Sequence, residues 1–355
     1  MAGNNSMKNF WKKLTTPIFC LAPMADVTDC AFRQIITKYG KPDIFWTEFV
    51  SADGLAHPQA REKLLIDLKF SKKEHPIVAQ IFGGKPENIR IASVLCKELG
   101  FDGIDINMGC PDKSVEKQCA GAALMKNPKL AREIIRAAKE GGQDLPVSVK
   151  TRIGYSKNEI ETWVRELLSE NLAALTIHLR TRKENSDALA HWGVMKRIME
   201  IRNEMGKETL IIGNGDVVDI DDAKRKIKES SCDGVMFGRA IFGNPWLFRG
   251  IASGEHGYFS TEKFLVLAPS RSQVSPKATP LQIPSLEQKL KVLVEHTKLF
   301  EKLLGKYKNF AVIKKHFKAY VNGWDGAKEL RMKLMETENA KQVEKIINDF
   351  LTRRR

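Results

Sequence analysis

From residue 17 to about residue 245 the chain alternates between two patterns. Short runs of apolar and β-branched residues are separated by longer segments whose apolar positions recur every three or four residues. The short runs read as strands and the longer segments as amphipathic helices. Strands are predicted at 17–24, 44–50, 77–82, 103–108, 147–152, 174–179, 210–214 and 234–238. Helices are predicted between most of them, at 28–39, 86–99, 128–139, 157–170, 194–205 and 219–229. Pro86 and Pro128 suit first-turn positions, where a missing N–H costs nothing, and Gly100 suits a helix end. The 44–75 region fits least well and is expected to hold a hairpin or an extra helix.

Eight strands with intervening helices match a (β/α)₈ TIM barrel, an α/β fold of typically ~250 residues. The rival is a doubly wound sheet, which would carry a G-x-G-x-x-G turn after its first strand. Here that strand runs into Ala22-Pro23-Met24-Ala25-Asp26, with no glycine. Past residue 250 the pattern changes. The run from Leu267 to Pro280 is rich in Pro and Ser and reads as a linker or loop. Beyond it, 286–304, 310–321, 327–335 and 340–351 each carry apolar residues at helical spacing, the pattern of an all-α bundle. The expected organisation is a catalytic barrel over 1–250, a linker over 251–285 and a basic helical domain over 286–355.

The 355 residues are 43% hydrophobic, enough for a full core, and carry a formal net charge of +15. Residues 286–355 hold 17 Lys and Arg against 9 Asp and Glu, which is +8 of that total in about a fifth of the length. Such a field favours a polyanion and works against acidic partners. The six cysteines, Cys20, Cys30, Cys96, Cys110, Cys119 and Cys232, are scattered without a C-x-x-C pair. They indicate neither a zinc site nor a disulfide framework, and a reducing cytoplasm fits best. The polar start of the chain is unlike a signal peptide, and no apolar run approaches the ~18 residues of a membrane span. A soluble monomer without a metal is the expectation.

The most informative segment is Asp105-Ile-Asn107-Met-Gly109-Cys110-Pro111. Pro111 cannot continue a strand, because it has no N–H for the ladder. Cys110 is therefore held at a strand-to-loop corner, where parallel-sheet enzymes place their chemistry. The other strand ends supply Pro23 and Met24, Gln80, Asn107, Lys150 and Arg152, His178 and Arg180, Asn214, Gly215 and Asp216, and Gly238 and Arg239. Polar groups repeated from one apolar strand end to the next are hard to explain by packing alone. Gly213-Asn-Gly-Asp216 and Phe237-Gly-Arg-Ala240 follow the last two strands, where barrels build a phosphate site from backbone N–H groups, and Arg239 can grip a phosphate with its fork.

These residues resemble the tRNA-dihydrouridine synthase family. The resemblance rests on Leu21-Ala-Pro-Met-Ala-Asp-Val-Thr28, Val78-Ala-Gln-Ile-Phe-Gly83, Asp105-Ile-Asn-Met-Gly-Cys-Pro111, Ala120-Gly-Ala-Ala-Leu124, Val149-Lys-Thr-Arg152, Thr176-Ile-His-Leu-Arg-Thr-Arg182, Ile212-Gly-Asn-Gly-Asp216 and Gly238-Arg-Ala240, in the family's order. More loosely, Val312-Ile-Lys-Lys-His-Phe-Lys-Ala-Tyr320 looks like its helical domain. The resemblance implies an FMN enzyme that reduces a D-loop uridine of tRNA, with NADPH as reductant. By analogy Pro23 and Met24 lie against the isoalloxazine, Gln80 and Lys150 bond its polar edge, and His178 lies nearby. Asn214, Gly215, Asp216, Gly238 and Arg239 hold the phosphate, Asn107 orients the uracil, Cys110 is the general acid, and Arg180 contacts substrate or RNA. The chain departs from the family at His191-Trp192, where an acidic residue usually precedes the tryptophan. It departs again in the 183–189 loop, which lacks the usual tyrosine and glycine.

The chemistry supports the same assignment independently. Reducing a C=C conjugated to a carbonyl needs a hydride at one carbon and a proton at the other. A thiol of pKa ~8.5 is protonated near pH 7 yet can release its proton as carbanion character develops. A lysine near the flavin's pyrimidine edge can stabilise an anionic reduced form. A base inside folded tRNA must be flipped out, and a basic module can hold the phosphates meanwhile. Packing competes with each reading: a free cysteine is usually a small hydrophobe, Cys119 is expected only to pack, and the remaining four cysteines are expected in the core. Two other functions stay open, a small-molecule pyrimidine flavoenzyme of the dihydroorotate or dihydropyrimidine dehydrogenase type, and a non-catalytic tRNA-binding protein.

Overall fold

A computed structural model describes residues 9–184, 188–249 and 284–354. The predicted linker falls almost wholly on residues outside these. The chain begins β1 (Ile18–Leu21), α1 (Cys30–Tyr39), β2 (Phe45–Trp46), β3 (Val50–Ser51), α2 (Ala52–Ala56), α3 (Pro58–Leu64), β4 (Ile77–Phe82), α4 (Pro86–Glu98), β5 (Gly103–Met108) and α5 (Lys113–Glu116). It continues α6 (Pro128–Gly142), β6 (Val147–Arg152), α7 (Ile160–Leu168), β7 (Ala174–His178), α8 (Met195–Glu204), β8 (Leu210–Asn214), α9 (Ile220–Ser230) and β9 (Gly234–Phe237). Pro86 and Pro128 open α4 and α6 as expected, and Gly100 takes a left-handed φ of +84° just past α4.

All strand pairings are parallel. The order is β1-β9-β8-β7-β6-β5-β4-β2, and a bridge between Cys20 and Ile44 brings the β1 and β2 edges together. This is the predicted barrel. One expectation needs correction. The single strand at 44–50 is two short strands, both pairing with β4, because Thr47 interrupts the ladder: its Oγ1 takes the Gln80 N–H at 3.1 Å. The 44–75 region accordingly holds extra helices, α2 and α3, and no hairpin.

Strand residues alternate strictly between two environments, as the two-residue period requires. In β6, Val147 and Val149 pack outward against the helices, whereas Ser148, Lys150 and Arg152 are aligned with inward residues of neighbouring strands. Ile18, Cys20, Trp46, Val78, Ala174, Ile212 and Met236 fill the barrel interior, which Trp11 also joins. The polar positions embedded in the apolar runs are thus the inward faces of β4 to β8, and they rise toward the C-terminal mouth.

After residue 284 come α10 (Leu286–Leu304), α11 (Lys314–Tyr320), α12 (Ala327–Met335) and α13 (Ala340–Thr352), close to the predicted bounds. Ser285 caps α10 in a capping box with Gln288. These helices share a core with the barrel: Leu290, Phe300, Phe317 and Leu334 cluster with Cys30, Ala31 and Ile35 of α1 and with Trp246. Phe32 of α1 stacks on His296 (centroids 5.0 Å apart) and meets His316 (4.5 Å), which also stacks on Phe242 at 5.9 Å. Lys308 bonds Glu48 (3.0 Å) and Asp67 (2.8 Å), and Lys315 bonds Asp26 at 2.8 Å. The helical unit is seated on α1 and on the loops after β1 and β9.

Candidate active site

A solvent-open cavity of about 200 Å³ sits at the C-terminal mouth of the barrel. It is lined by Pro23 and Met24, Lys150, His178 and Arg180, Asn214, Gly215 and Asp216, and Gly238 and Arg239, with Ala22 and Val217. A larger cavity of about 740 Å³ lies at the other end of the barrel, around Trp11, Lys139 and Lys207. The smaller one is the better candidate, because loops of this fold carry chemistry at the C-terminal ends of the strands.

Register explains the assembly. Arg152 pairs with His178, and His178 with Asn214, so the three side chains share one face in adjacent strands. One pleat deeper, Asn107 pairs with Lys150. Lys150 Nζ donates to Asn214 Oδ1 at 3.2 Å, and Asn214 Nδ2 donates to the Met236 carbonyl at 2.8 Å. Burial lowers the Lys150 ammonium to about 8, and nearby Arg152 adds to the effect. At neutral pH it remains a cation in the cavity wall.

His178 is held neutral. Burial and the cations of Lys150, Arg152, Arg180 and Arg239 push it down to about 2. Arg180 Nη1 lies 3.1 Å from its Nε2. A guanidinium can only donate, so Nε2 accepts and the ring proton resides on Nδ1.

Arg180 is buried, and its charge is matched by Asp216, whose two oxygens lie 2.7 and 2.6 Å from Nη2. Asp216 also accepts from Arg239 at 2.9 Å and from the Ala190 N–H at 2.8 Å. Burial would raise the Asp216 carboxyl, but these donors outweigh it and hold the group below the usual carboxylate range. Its oxygens are therefore spent on arginines, and residue 216 can meet an anion only through its backbone N–H. Gly215 has a φ of +128°, and Gly238 has open space where a Cβ would stand. The Arg239 side chain is 66% exposed. An open glycine backbone, an exposed guanidinium and the Lys150 cation suit an anionic, phosphate-bearing, planar cofactor.

Gln80, Asn107 and Cys110 do not line this cavity. Gln80 is fully buried, donating to Asp105 at 2.7 Å and accepting from Asn107 at 3.1 Å. Asn107 Oδ1 in turn accepts the N–H groups of Gly109 (3.1 Å) and Cys110 (2.9 Å). Cys110 is half-buried beside Phe82, Val115 and Ala120, and burial pushes its thiol above the ordinary 9.0. Cys20, Cys30, Cys96 and Cys232 are buried as expected, but Cys119 is not packed: it is exposed, with a φ of +55°. Its loop packs closely over Gly84, whose Cβ would stand 2.1 Å from the Gln118 carbonyl.

Three relationships were not drawn from the sequence. Asp105 carries the Gln80–Asn107 pair. Arg152 braces the Cys110 turn by donating to the Gly109 carbonyl at 2.7 Å and to that of Thr181 at 3.1 Å. Trp192 supports the Gly215 turn, donating to its carbonyl at 2.8 Å and lying against Gly213. The inward alternation of Asp105 with Asn107 was the one available signal for the first.

The family model described as "Dihydrouridine synthase (Dus)" matches residues 20–354. The chain is 38% identical over 349 residues to a "Probable tRNA-dihydrouridine synthase" of Staphylococcus aureus strain Mu50, covering 97% of this chain and 96% of the relative. It is equally identical, 38% over 349 residues, to a "Probable tRNA-dihydrouridine synthase 2" of Bacillus subtilis strain 168, covering 97% of each. An old yellow enzyme homologue from Zymomonas mobilis superposes over 67% of this chain and 88% of its own, with a TM-score of 0.48 and 11% identity, a likeness too loose to bear on the chemistry.

Proposed function

We propose a reaction on one premise: this chain belongs to the dihydrouridine synthase family. It is a tRNA-dihydrouridine synthase, a flavin-dependent oxidoreductase that reduces a uridine of tRNA to 5,6-dihydrouridine. We assign it FMN as the flavin, NADPH as reductant and the D-loop as target. FMN is supported by Gly215, Gly238 and an exposed Arg239 gathered on one side of the cavity.

A bound FMN supplies the hydride for the uracil C=C. The protein does the rest. Pro23 and Met24 offer the flat wall of the cavity, and Lys150 places a positive charge where negative charge develops. Neutral His178 offers an Nδ1–H donor on the same wall. Arg180, charge-matched by Asp216, fixes that tautomer from the cavity's lining. Asn107 holds the turn on which Cys110 stands. Cys110 keeps its proton through neutral pH, because burial disfavours the thiolate, and releases it to the uracil carbon that becomes nucleophilic.

The helical unit docks the tRNA. A cleft of about 670 Å³ is lined by Lys314, Lys315, Lys318, Lys328 and Arg331 against one carboxylate, Glu336, with Met332 and Met335 exposed beside them. Cations flanking apolar side chains suit a phosphate backbone with bases or riboses against the Met surface. Lys315 also bonds Asp26, in the loop just past Met24, so the cleft adjoins the mouth of the barrel.

The observation that carries this reading is a half-buried thiol whose turn is fixed by Asn107, the register partner of Lys150. The test is to map dihydrouridine in tRNA from cells lacking the protein. Wild type should restore the base and Cys110→Ala should not. Turnover of free uracil or orotate by the purified enzyme would instead support a small-molecule reductase.

A further inference from the structure

Asp105 is the one carboxylate facing the barrel interior among the described residues of β4 to β8, and none of the roles above uses it. It is completely buried on β5, two residues before Asn107. Gln80 on β4 and Ser148 on β6 are its register partners on either side. Both donate to it: Gln80 Nε2 to Oδ2 at 2.7 Å and Ser148 Oγ to Oδ1 at 2.6 Å. An isolated carboxylate in such a place would be costly, so its partners are held firmly.

The hydrogen-bond directions matter. A carboxylate only accepts, so the amide nitrogen of Gln80 must point at Asp105. That leaves Gln80 Oε1 facing Asn107, where it accepts from Nδ2 at 3.1 Å. With its nitrogen committed, Asn107 must direct Oδ1 at the Cys110 turn, where it takes the two amides of Gly109 and Cys110. Flipping either amide would set donor against donor along the chain. One buried acceptor therefore dictates the orientation of both amides and the anchoring of the cysteine.

We propose that Asp105 is a positioning residue, which acts through Gln80 and Asn107 to hold the Cys110 turn in place for proton delivery. The inference rests on Cys110 being the proton donor. It assigns Asp105 no contact with cofactor or substrate.

The test uses the full-length protein as purified, in a Cys119→Ser background that removes the other reachable thiol. Asp105→Leu removes both acceptors and keeps the branched shape; Asp105→Asn can still accept from Gln80 while its nitrogen donates to Ser148. Iodoacetamide labelling of Cys110, read by peptide mass, should rise roughly tenfold in Asp105→Leu and stay within about twofold of the parent in Asp105→Asn. Labelling of buried Cys20 and Cys96 should stay negligible in both, which reports an intact fold. In the flavin-loaded enzyme, tRNA-dependent reoxidation should slow roughly tenfold in Asp105→Leu while reduction by NADPH is unchanged. Should Asp105→Leu expose Cys20 and Cys96, Gln80→Leu, with flavin content measured alongside, breaks the same chain at its middle and should raise Cys110 labelling equally. Where both fold, the double variant should be no worse than either single one.

Unchanged Cys110 labelling in a folded Asp105→Leu or Gln80→Leu protein overturns the proposal, as does an Asp105→Asn variant as impaired as Asp105→Leu. Full activity of Cys110→Ala, run in parallel, would instead show that the proton-donor assignment itself is wrong.

Discussion

Asn107 Oδ1 accepts the backbone N–H of Cys110 at 2.9 Å, so the side chain expected to meet the uracil also anchors the residue expected to protonate it. The same contact caps a turn that Pro111 prevents from extending β5. Residue 110 gains a fixed backbone, while burial keeps its thiol protonated.

Cys110→Ala should abolish most tRNA-dependent turnover, by about 10²-fold or more, the usual contribution of a positioned acid. Flavin content should not change, since Cys110 does not line the cofactor cavity. The sign of the pH effect follows from the raised thiol: the competent, protonated form persists up to and beyond the ordinary 9.0. The rate of tRNA-dependent flavin reoxidation should therefore stay level through neutral pH and fall only above that value. Stopped-flow absorbance across pH checks both points.

Lys150→Met should have opposite effects on stability and cofactor binding. The folded protein holds the ammonium at about 8, below its ordinary 10.5. The unfolded chain thus binds the extra proton more tightly, and the buried lysine costs stability below that window, a cost that shrinks as pH rises through it. The variant's flavin-free form should melt higher at pH 7, yet retain flavin less well. Paired melting curves with and without flavin provide the comparison, and a variant less stable than wild type in the flavin-free form would contradict it.

Arg239→Ala should separate phosphate recognition from ring recognition. The Arg239 fork is the one predicted phosphate ligand whose side chain is largely exposed. FMN affinity should drop by roughly tenfold or more, as expected for a charge-assisted pair, with riboflavin affinity little changed. Equal losses for the two ligands, measured by fluorescence quenching, would place the phosphate elsewhere.

Lys314→Glu with Lys318→Glu should weaken tRNA binding and flatten its salt dependence, because each phosphate neutralised adds close to one unit of slope in log Kd against log salt. Flavin content should be untouched. Deleting the helices is a poorer test, because it would uncover the Cys30, Ala31, Ile35 and Trp246 surface that they share with the barrel. Filter binding over a salt series distinguishes the outcomes.

His316→Phe should stabilise the protein increasingly as pH falls. The ring is buried between Phe32 and Phe242, and burial, outweighing a polar contact with the Val27 backbone, holds it at about 4. Below the ordinary 6.5 the unfolded chain takes up a proton that the folded one refuses, so wild type loses stability as pH drops through this range. The stability gap between the two proteins should widen by up to ~1.4 kcal/mol per pH unit between those values. Urea midpoints at several pH values would show it, and a gap independent of pH would refute it.

Hydrophobic periodicity, read along the chain, determined the barrel, all its strand positions but that at 44–50, the four C-terminal helices and the strand ends at which chemistry should gather. Those features depend on local period and on the fixed geometry of Pro and Gly, both of which are written in neighbouring residues. Period also determines which strand residues share a face, so the inward set containing Lys150, His178 and Asn214 was within reach. Which inward groups pair was not. Gln80 meets Asp105, and Arg180 meets Asp216, only because separate strands align in one register and the barrel closes. Glu48 finds Lys308 across 260 positions, and Phe32 finds His296 and His316, only when the helices settle on α1. Proton states follow the same rule. A lysine, a histidine and a thiol take their charges from burial and neighbouring cations, and those are properties of the folded interior, which no local pattern encodes.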